Sequence, residues 1–242
     1  MGLLEGLLNF IYPPVCGLCG GKLLDKRGED LAACGDCVNK IKGNPPPYCG
    51  TCGRSLKGLA DSVNCCGECR GREPYYERSW SAFLYEGAAR EALHLLKYSK
   101  KIYLGRLFRG LIIPYVNKNP DILSGIDGVI AVPLHNVKFR ERGFNQALIL
   151  ADSLSAEFGV KNLSACLKRL VLTRPQSELD RGQRADNVRG TFEVSRPALI
   201  KGKGLLIVDD LFTTGATLNE CARVLKKGGA GKLQCLTFAR PS

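Results

Sequence analysis

No stretch of the 242-residue sequence is apolar over the length that a membrane-spanning helix needs. The first residues, MGLLEGLLNFIYPP, lack the basic region and the small-residue cleavage site of a secretory signal, and Gly6 stands where myristoylation needs Ser or Thr. We therefore expect a cytoplasmic protein without a membrane span. Helical spacing of apolar residues in this stretch predicts a short amphipathic helix that docks on the body: Leu3, Leu4, Leu7, Leu8 and Ile11.

The sequence is also poor in groups for nucleophilic catalysis. It has two histidines and shows no Cys/His or Ser/His constellation. His94 has a helical context without a partner nearby in sequence, so we expect it to be structural. A G-x-x-x-x-G-K-[ST] phosphate loop is missing as well, because the nearest segment, 228–233, has the wrong spacing and lacks the Ser or Thr.

The composition is that of an ordinary globular protein, and the charge is unevenly distributed along the chain. Hydrophobic residues make up 45% and charged residues 24%, and the length suffices for one sizeable core with a small satellite domain. Of the net charge of +12, residues 1–72 carry +2 and residues 73–242 carry +10. The larger part therefore suits a polyanionic partner, a phosphate-rich substrate or both, and general basicity without such a partner is the alternative.

Cysteines are concentrated in the first third of the chain, where nine of the twelve fall within residues 16–69. They include four C-x-x-C pairs, whose spacing is typical of two structural zinc ribbons: Cys16/Cys19, Cys34/Cys37, Cys49/Cys52 and Cys66/Cys69. We favour sequential pairing over an interleaved cross-brace; free or redox cysteines are a further alternative. Two four-thiolate zinc sites would turn the local charge of +2 into −2.

The remaining cysteines have other predicted roles. Cys65 neighbours Cys66, but only Cys66 keeps the two-residue spacing to Cys69. Three cysteines in apolar or helical surroundings are expected to be small core residues: Cys166, Cys221 and Cys235.

The segment 70–74 marks a boundary between an N-terminal helix with a double zinc-ribbon domain, 1–72, and a second domain, 73–242. Apolar runs in the second domain predict strands at 80–85, 128–134 and 205–208. Helical periodicity predicts helices at 88–99, at 104–118 with a bend at Pro114, and at 218–227.

The most informative segment is LLIVDDLFTTGATL, residues 205–218. A buried strand ends at two adjacent carboxylates, Asp209 and Asp210, and a loop of small residues follows: Thr213, Thr214, Gly215, Ala216 and Thr217. Such a loop brings backbone N–H groups and three hydroxyls to a helix N-terminus, which favours an anion. The pattern suits a sugar phosphate, and it resembles the phosphoribosyl pyrophosphate (PRPP) signature of type I phosphoribosyltransferases. A magnesium strand of a nucleotide hydrolase is the alternative.

Two further polar segments accompany this motif. After the predicted strand at 128–134, the loop 135–146 carries Lys138, Arg140 and Arg142, which could hold a pyrophosphate or nucleic-acid phosphates. Between Leu172 and Val194 lies a second arginine-rich stretch, with Arg174, Arg181 and Arg184, that could close over a substrate. A solvated basic face and an ordinary mobile loop are the respective alternatives.

Together, these features resemble the competence protein ComF family. The resemblance rests on the paired cysteine knuckles and on three segments: V-P-L-H…R-E-R-G-F-N-Q-A (132–147), Q-x-x-L-x-R-x-x-R-x-x-N (176–187) and V-D-D-x-x-T-T-G-A-T (208–217). It implies an α/β fold of the type I phosphoribosyltransferase kind, with a parallel sheet flanked by helices, behind a small cysteine-rich double zinc ribbon. It also implies a bacterial cytosolic protein connected with DNA uptake in natural transformation.

The resemblance also implies roles for particular residues. Asp209 and Asp210 would bind the ribose hydroxyls and the associated Mg²⁺, the loop 213–217 would hold the 5′-phosphate, and Pro133, Leu134 and His135 would approach the pyrophosphate. A base-selecting segment of purine, orotate or uracil enzymes is not recognisable.

Three functions remain open on this basis. The first is an enzyme that transfers phosphoribose from PRPP to an unknown acceptor. The second is a module for single-stranded DNA with a retained PRPP site. Aromatic residues that could stack on bases lie near basic residues, although each could equally pack in the core: Tyr98, Tyr103, Phe139 and Phe144. The third is an adaptor whose zinc head docks on a competence helicase. We expect PRPP binding and DNA binding together.

Overall fold

The computed structural model describes residues 13–23, 25–58, 64–171 and 188–242. The predicted N-terminal helix and the segment 176–187 lie outside the described residues, as do Arg174, Arg181 and Arg184. Within the described part, no helix has the length and apolar character needed to cross a bilayer.

Seven strands and seven α-helices make up the described chain. The strands are β1 (Arg78–Leu84), β2 (Gly128–Ala131), β3 (Lys161–Asn162), β4 (Leu167–Arg169), β5 (Phe192–Val194), β6 (Leu205–Leu211) and β7 (Leu233–Arg240). The helices are α1 (Lys26–Leu31), α2 (Gly35–Asn39), α3 (Gly87–Tyr98), α4 (Gly105–Lys118), α5 (Asn136–Arg142), α6 (Gln146–Phe158) and α7 (Ala216–Lys227).

The main sheet has five parallel strands in the order β1-β7-β6-β2-β3, and β4 and β5 form a separate antiparallel pair. Its central strand β6 is paired on both sides, with Val208 opposite Ala131 of β2 and Leu236 of β7. Continuous apolar runs suit strands that helices cover on both faces, and such runs predicted the strands β2 and β6. The expected parallel α/β architecture is confirmed.

Alternate residues of β6 face two different cores, because side chains along a strand point to opposite faces. Leu206 and Val208 pack in the core that contains α3, α4 and α6 residues. Leu205 and Ile207 pack in the second core, with residues of α7.

Each cysteine ribbon packs on a different face of the sheet. Cys16 and Cys37 of the first ribbon belong to the core with α3 and α4, and Lys101 donates a 2.9 Å hydrogen bond to the Gly17 carbonyl. Cys49 and Cys52 of the second ribbon belong to the core with α7. The two ribbons therefore pack on opposite faces of the sheet.

The structure differs from the sequence prediction mainly after β2. That strand ends at Ala131, and the stretch predicted as a loop contains α5. His135 caps α5 because its Nδ1 accepts a hydrogen bond from the Val137 N–H, and Gly143 ends the helix in the left-handed conformation at φ 84°. The prediction of an extended basic loop was therefore wrong, since Lys138, Arg140 and Arg142 lie on a short helix.

Candidate functional site

The acid pair lies at the carboxyl end of β6. The Asp210 N–H donates a 2.8 Å hydrogen bond to Oδ1 of Asp209, which holds the first carboxylate against the backbone. Burial among protein atoms, and then the negative charge of Asp210, raise the pKa of Asp209 well above its usual range. Two carboxylates this close together favour the binding of a cation.

Lys97, near the end of α3, is a site residue that the sequence prediction missed. Its ammonium forms an ion pair with Oδ2 of Asp210, and both side chains are largely buried. Burial by itself lowers the pKa of Lys97, but the Asp210 carboxylate outweighs it and raises that pKa. A signal was available: Lys97 lies four residues after buried Leu93, so it interrupts the apolar stripe of an amphipathic helix.

The loop between β6 and α7 is shaped for an anion. Gly215 has φ 78°, and a Cβ there would meet the Phe212 ring at 2.7 Å, so the position needs glycine. It precedes a 12-residue helix whose N-cap makes no side-chain hydrogen bond. The N–H of Ala216, the first residue of this helix, makes a 3.4 Å contact with Thr214 Oγ1. The first N–H groups of an α-helix have no partner within the helix. Thr217 lies in the first turn of the helix.

A second loop leaves the same edge of the sheet. Pro133, Leu134 and His135 follow β2, which runs parallel to β6 as its direct neighbour, so the two loops emerge side by side. Asn145 holds this loop in place. Its side chain donates a 2.9 Å hydrogen bond to the Val132 carbonyl and also caps α6. The structure thus brings the acid pair, the loop 213–217 and the loop 133–135 to one edge.

Basic and aromatic side chains border this edge. Arg142 donates a 2.8 Å hydrogen bond to Gln146, and its guanidinium lies 5.9 Å from the centroid of the Tyr98 ring. Tyr98, Tyr103 and Phe139 are exposed by 67%, 42% and 45%. Phe144 is only 9% exposed and packs in the first core, so the core-packing alternative holds for this ring.

The eight predicted ligand cysteines form two separate clusters in sequential order. Within each cluster the sulfurs lie within 4.8 Å of one another: Cys16, Cys19, Cys34, Cys37; and Cys49, Cys52, Cys66, Cys69. The Cys19–Cys34 and Cys52–Cys66 sulfurs are 3.8 and 3.7 Å apart. Tetrahedral zinc with Zn–S bonds of about 2.3 Å requires sulfurs about 3.8 Å apart, so the geometry fits structural Zn²⁺.

In each cluster, a backbone N–H group donates a hydrogen bond to the sulfur of the first cysteine. The Cys34 N–H lies 3.3 Å from the Cys16 sulfur, and the Cys66 N–H lies 3.3 Å from that of Cys49. Although burial opposes ionisation, such N–H groups lower the pKa of Cys16 and of Cys49 to about 6. Burial and the neighbouring thiols raise the pKa of Cys37 and of Cys69. Thiolates are the form that binds zinc, so the first thiol of each cluster is suited to bind the metal first.

Cysteines outside the clusters behave as predicted. Cys166, Cys221 and Cys235 are at most 1% exposed, and burial raises the pKa of each thiol. Cys65 is half-buried and is not a member of the second cluster.

Comparison with known proteins agrees with both halves of this architecture. Residues 145–242 match the phosphoribosyl transferase domain family, and residues 7–70 match the double zinc ribbon domain family.

Relatives match along most of the chain. The chain is 24% identical to "Competence protein ComFC" of Streptococcus pneumoniae over 93% of this chain and 99% of that protein. It is 28% identical to "DNA utilization protein YhgH" of Escherichia coli K12 over 72% of this chain and 77% of that protein. It is 32% identical to "Competence protein F" of Haemophilus influenzae over 93% of this chain and 96% of that protein. With both domains present in the same order and this identity along nearly the whole length, the chain belongs to the competence protein F (ComF) family.

Proposed function

We propose that this protein binds PRPP with Mg²⁺ at the carboxyl edge of β6. One observation carries the proposal: the carboxylates of Asp209 and Asp210 directly precede a glycine-dependent turn that opens the N-terminus of α7. Carboxylates accept hydrogen bonds from the hydroxyls of a pentose, and the turn and helix dipole favour its phosphate. Oxygen donors of this kind also suit Mg²⁺.

Each part of PRPP then has a partner. Asp209 and Asp210 hold the ribose hydroxyls, residues 213–217 hold the 5′-phosphate, and the loop 133–135 lies beside the pyrophosphate. Lys97 forms an ion pair with the Asp210 carboxylate before ligand binding. Mg²⁺ would neutralise the bound pyrophosphate when it accompanies PRPP.

Phosphoribosyl transfer at this site would need no strong nucleophile from the protein. Positioning and electrostatic stabilisation of a cationic sugar centre suffice, with the acceptor supplying the attacking atom. Pyrophosphate release from PRPP and Mg²⁺, measured across a panel of bases and with single-stranded DNA, tests for turnover. Release no faster than without acceptor, for every compound, would leave a ligand-binding role alone.

Binding itself is tested by Asp209→Asn. The substitution removes one charge that the ribose hydroxyls and Mg²⁺ require, so we expect PRPP affinity in calorimetry to fall by about tenfold or more. Zinc content should stay at two per chain, because both clusters lie apart from this carboxylate. Unchanged PRPP affinity would remove the site assignment.

We further propose that single-stranded DNA binds the surface formed by Tyr98, Tyr103, Phe139, Arg140 and Arg142, in the cytoplasmic handling of DNA. Support comes from exposure: three aromatic rings are solvent-accessible among basic side chains, and the surrounding domain carries the +10 charge. Aromatic faces stack on bases, and basic groups follow the phosphate backbone. The relatives named for competence and DNA utilization favour the same role.

Substitution of Phe139 by Ala tests this surface. Loss of a stacking ring should weaken single-stranded DNA binding by roughly fivefold to a hundredfold in fluorescence anisotropy. Leu199→Ala is the control, since Leu199 is exposed to the same extent, 46% against 45%, but lies in the segment before β6. Equal affinities for both variants, or an affinity that does not fall between 50 and about 200 mM salt, would contradict the proposal.

A further inference from the structure

Lys97 reaches the acid pair from a well-packed helix. It is the penultimate residue of α3, and Leu93 and Leu96 of the same helix are at most 1% exposed and pack in the core on that face of the sheet. The backbone that carries the lysine is therefore held in place. Its side chain ends at the carboxyl edge of β6, where the ammonium forms the ion pair with Oδ2 of Asp210.

This ion pair is largely shielded from water. The side chains of Lys97 and Asp210 are 19% and 13% exposed, whereas those of Lys42 and Glu86, which pair at 2.8 Å, are 70% and 42% exposed. Solvent and salt screen an exposed pair, so such a pair contributes little. A largely buried pair is screened much less, and separation of its partners leaves a buried charge without a counter-charge.

The charges around Lys97 favour its place at the acids. Burial lowers the pKa of Lys97, but the charge of Asp210, followed by that of Asp209, raises it, and the nearby Arg142 opposes this rise. Arg142 itself donates a hydrogen bond to Gln146. If the ammonium leaves the two acids, Arg142 offers it no counter-charge.

A divalent ion competes with Lys97 for the same oxygen atoms. Mg²⁺ is usually bound by one or two carboxylates together with the phosphates of a substrate, and Mn²⁺ prefers the same kind of ligand. An ion that binds Asp210 by itself has to displace the ammonium, which is then left buried beside Arg142. An anionic ligand that brings the ion changes this balance, because its negative charges offer the ammonium a new partner.

We propose that Lys97 is a positioning residue and the built-in cation of the acid pair: its ammonium holds Asp210 and keeps free divalent ions away from both carboxylates until an anionic ligand brings the metal. The inference rests on the proposed function for the identity of that ligand, PRPP, and not for the exclusion of free metal. It gives a reason for the lysine that interrupts the apolar stripe of α3.

The test measures metal binding without PRPP. Mn²⁺ is the probe, because it takes the same oxygen ligands as Mg²⁺ and its free concentration is measured directly by electron paramagnetic resonance. The full chain is loaded with zinc first, so that both cysteine clusters are filled. We expect the unmodified protein to bind Mn²⁺ weakly and Lys97→Met to bind it at least about tenfold more tightly. A lysine with a merely structural role would cost stability without any gain in metal affinity.

Matched variants separate the charge of Lys97 from the loss of an ion pair in general. Lys42→Met breaks the exposed pair with Glu86 and should leave the Mn²⁺ affinity unchanged. Lys97→Arg keeps a positive charge at the acids and should bind Mn²⁺ as weakly as the unmodified protein. The double variant Lys97→Met/Asp210→Asn should lose the gain, which assigns the metal to the Asp210 carboxylate. If the unpaired carboxylate unfolds Lys97→Met, Lys97→Gln takes its place with the same expectation.

Two results would overturn the inference: the unmodified protein binds Mn²⁺ as tightly as Lys97→Met, or Lys42→Met gains the same affinity. Addition of PRPP to the unmodified protein is a separate arm, in which Mn²⁺ uptake should rise. PRPP that binds without raising this uptake would contradict the arrival of the metal with the ligand. If PRPP does not bind at all, the proposed function fails, while the comparison without PRPP still decides the role of Lys97.

Discussion

At the scale of single residues, three charges in contact govern the site. Asp209 and Asp210 are adjacent in sequence, and Lys97 forms an ion pair with the second of them. Burial and the neighbouring Asp210 carboxylate raise the pKa of Asp209, so the ligand-free protein favours the protonated form of this acid. A bound cation would stabilise both carboxylates in the ionised form, which is a physical reason for the site to take up Mg²⁺ together with PRPP.

The raised pKa of Asp209 predicts a pH-dependent stability. The folded state keeps this proton where the unfolded state, with an Asp pKa of about 3.9, has released it, so the free energy of unfolding falls as pH rises above about 4. Asp209→Asn removes this effect and should raise the Tm at pH 7 by a few degrees, with the gain disappearing near pH 4. Thermal unfolding across pH measures it, with the exposed Asp30→Asn as control. A Tm difference that is the same at every pH would contradict the assignment.

At the scale of elements, the turn between β6 and α7 depends on a single glycine. Gly215 is left-handed at φ 78°, and the Phe212 ring occupies the space where a Cβ would be. Phe212 also lines a cavity between the second cysteine ribbon and this turn. A displaced ring therefore disturbs the turn and the cavity together.

Gly215→Ala should thus cost PRPP affinity, by about tenfold or more, because the added methyl group meets Phe212 at 2.7 Å and shifts the N–H groups of the turn. Gly202→Ala is the matched control: Gly202 has φ 73°, and a Cβ there meets nothing within 4 Å. Both variants carry the backbone cost of about 1–2 kcal/mol for a left-handed residue. Calorimetric titration with PRPP separates them, and equal affinities would show that the turn does not hold the phosphate.

At the scale of the whole molecule, the two ribbons are part of the cores on either side of the sheet. The Thr51 carbonyl of the second ribbon accepts a 2.9 Å hydrogen bond from Ser79 of β1, and Arg240 of β7 donates to the Cys52 carbonyl. Loss of either metal site should therefore destabilise the sheet as well as the cysteine-rich region.

Cys66→Ser, compared with Cys65→Ser, tests this coupling. Cys66 belongs to the second cluster and its neighbour Cys65 does not. We expect Cys66→Ser to bind one zinc instead of two and to lower the Tm of the chain by about 5 °C or more, whereas Cys65→Ser keeps both metals and the original Tm. Metal analysis and calorimetry provide the measurements. Two zincs in Cys66→Ser would show that the cluster has been misassigned.

Local patterns in the sequence were sufficient for the buried strands, for the sequential cysteine clusters and for the acid pair with its turn, whereas the parallel sheet was implied by the family resemblance. Each of these depends on short-range chemistry: apolar runs mark buried strands, C-x-x-C spacing sets metal ligands, and only glycine accepts the backbone of residue 215. The helix α5 was missed because its stability comes from the His135 cap and the Gly143 end, within a stretch dominated by basic residues.

Contacts between distant segments were decided by the tertiary structure alone. Lys97 and Asp210 are far apart along the chain, as are Thr51 and Gly215, and no local periodicity encodes which helix end meets which strand end. Packing of each ribbon on its own face of the sheet likewise joins segments that are distant in sequence. The sequence by itself therefore determined the chemical groups of the site, and the fold decided which of them meet.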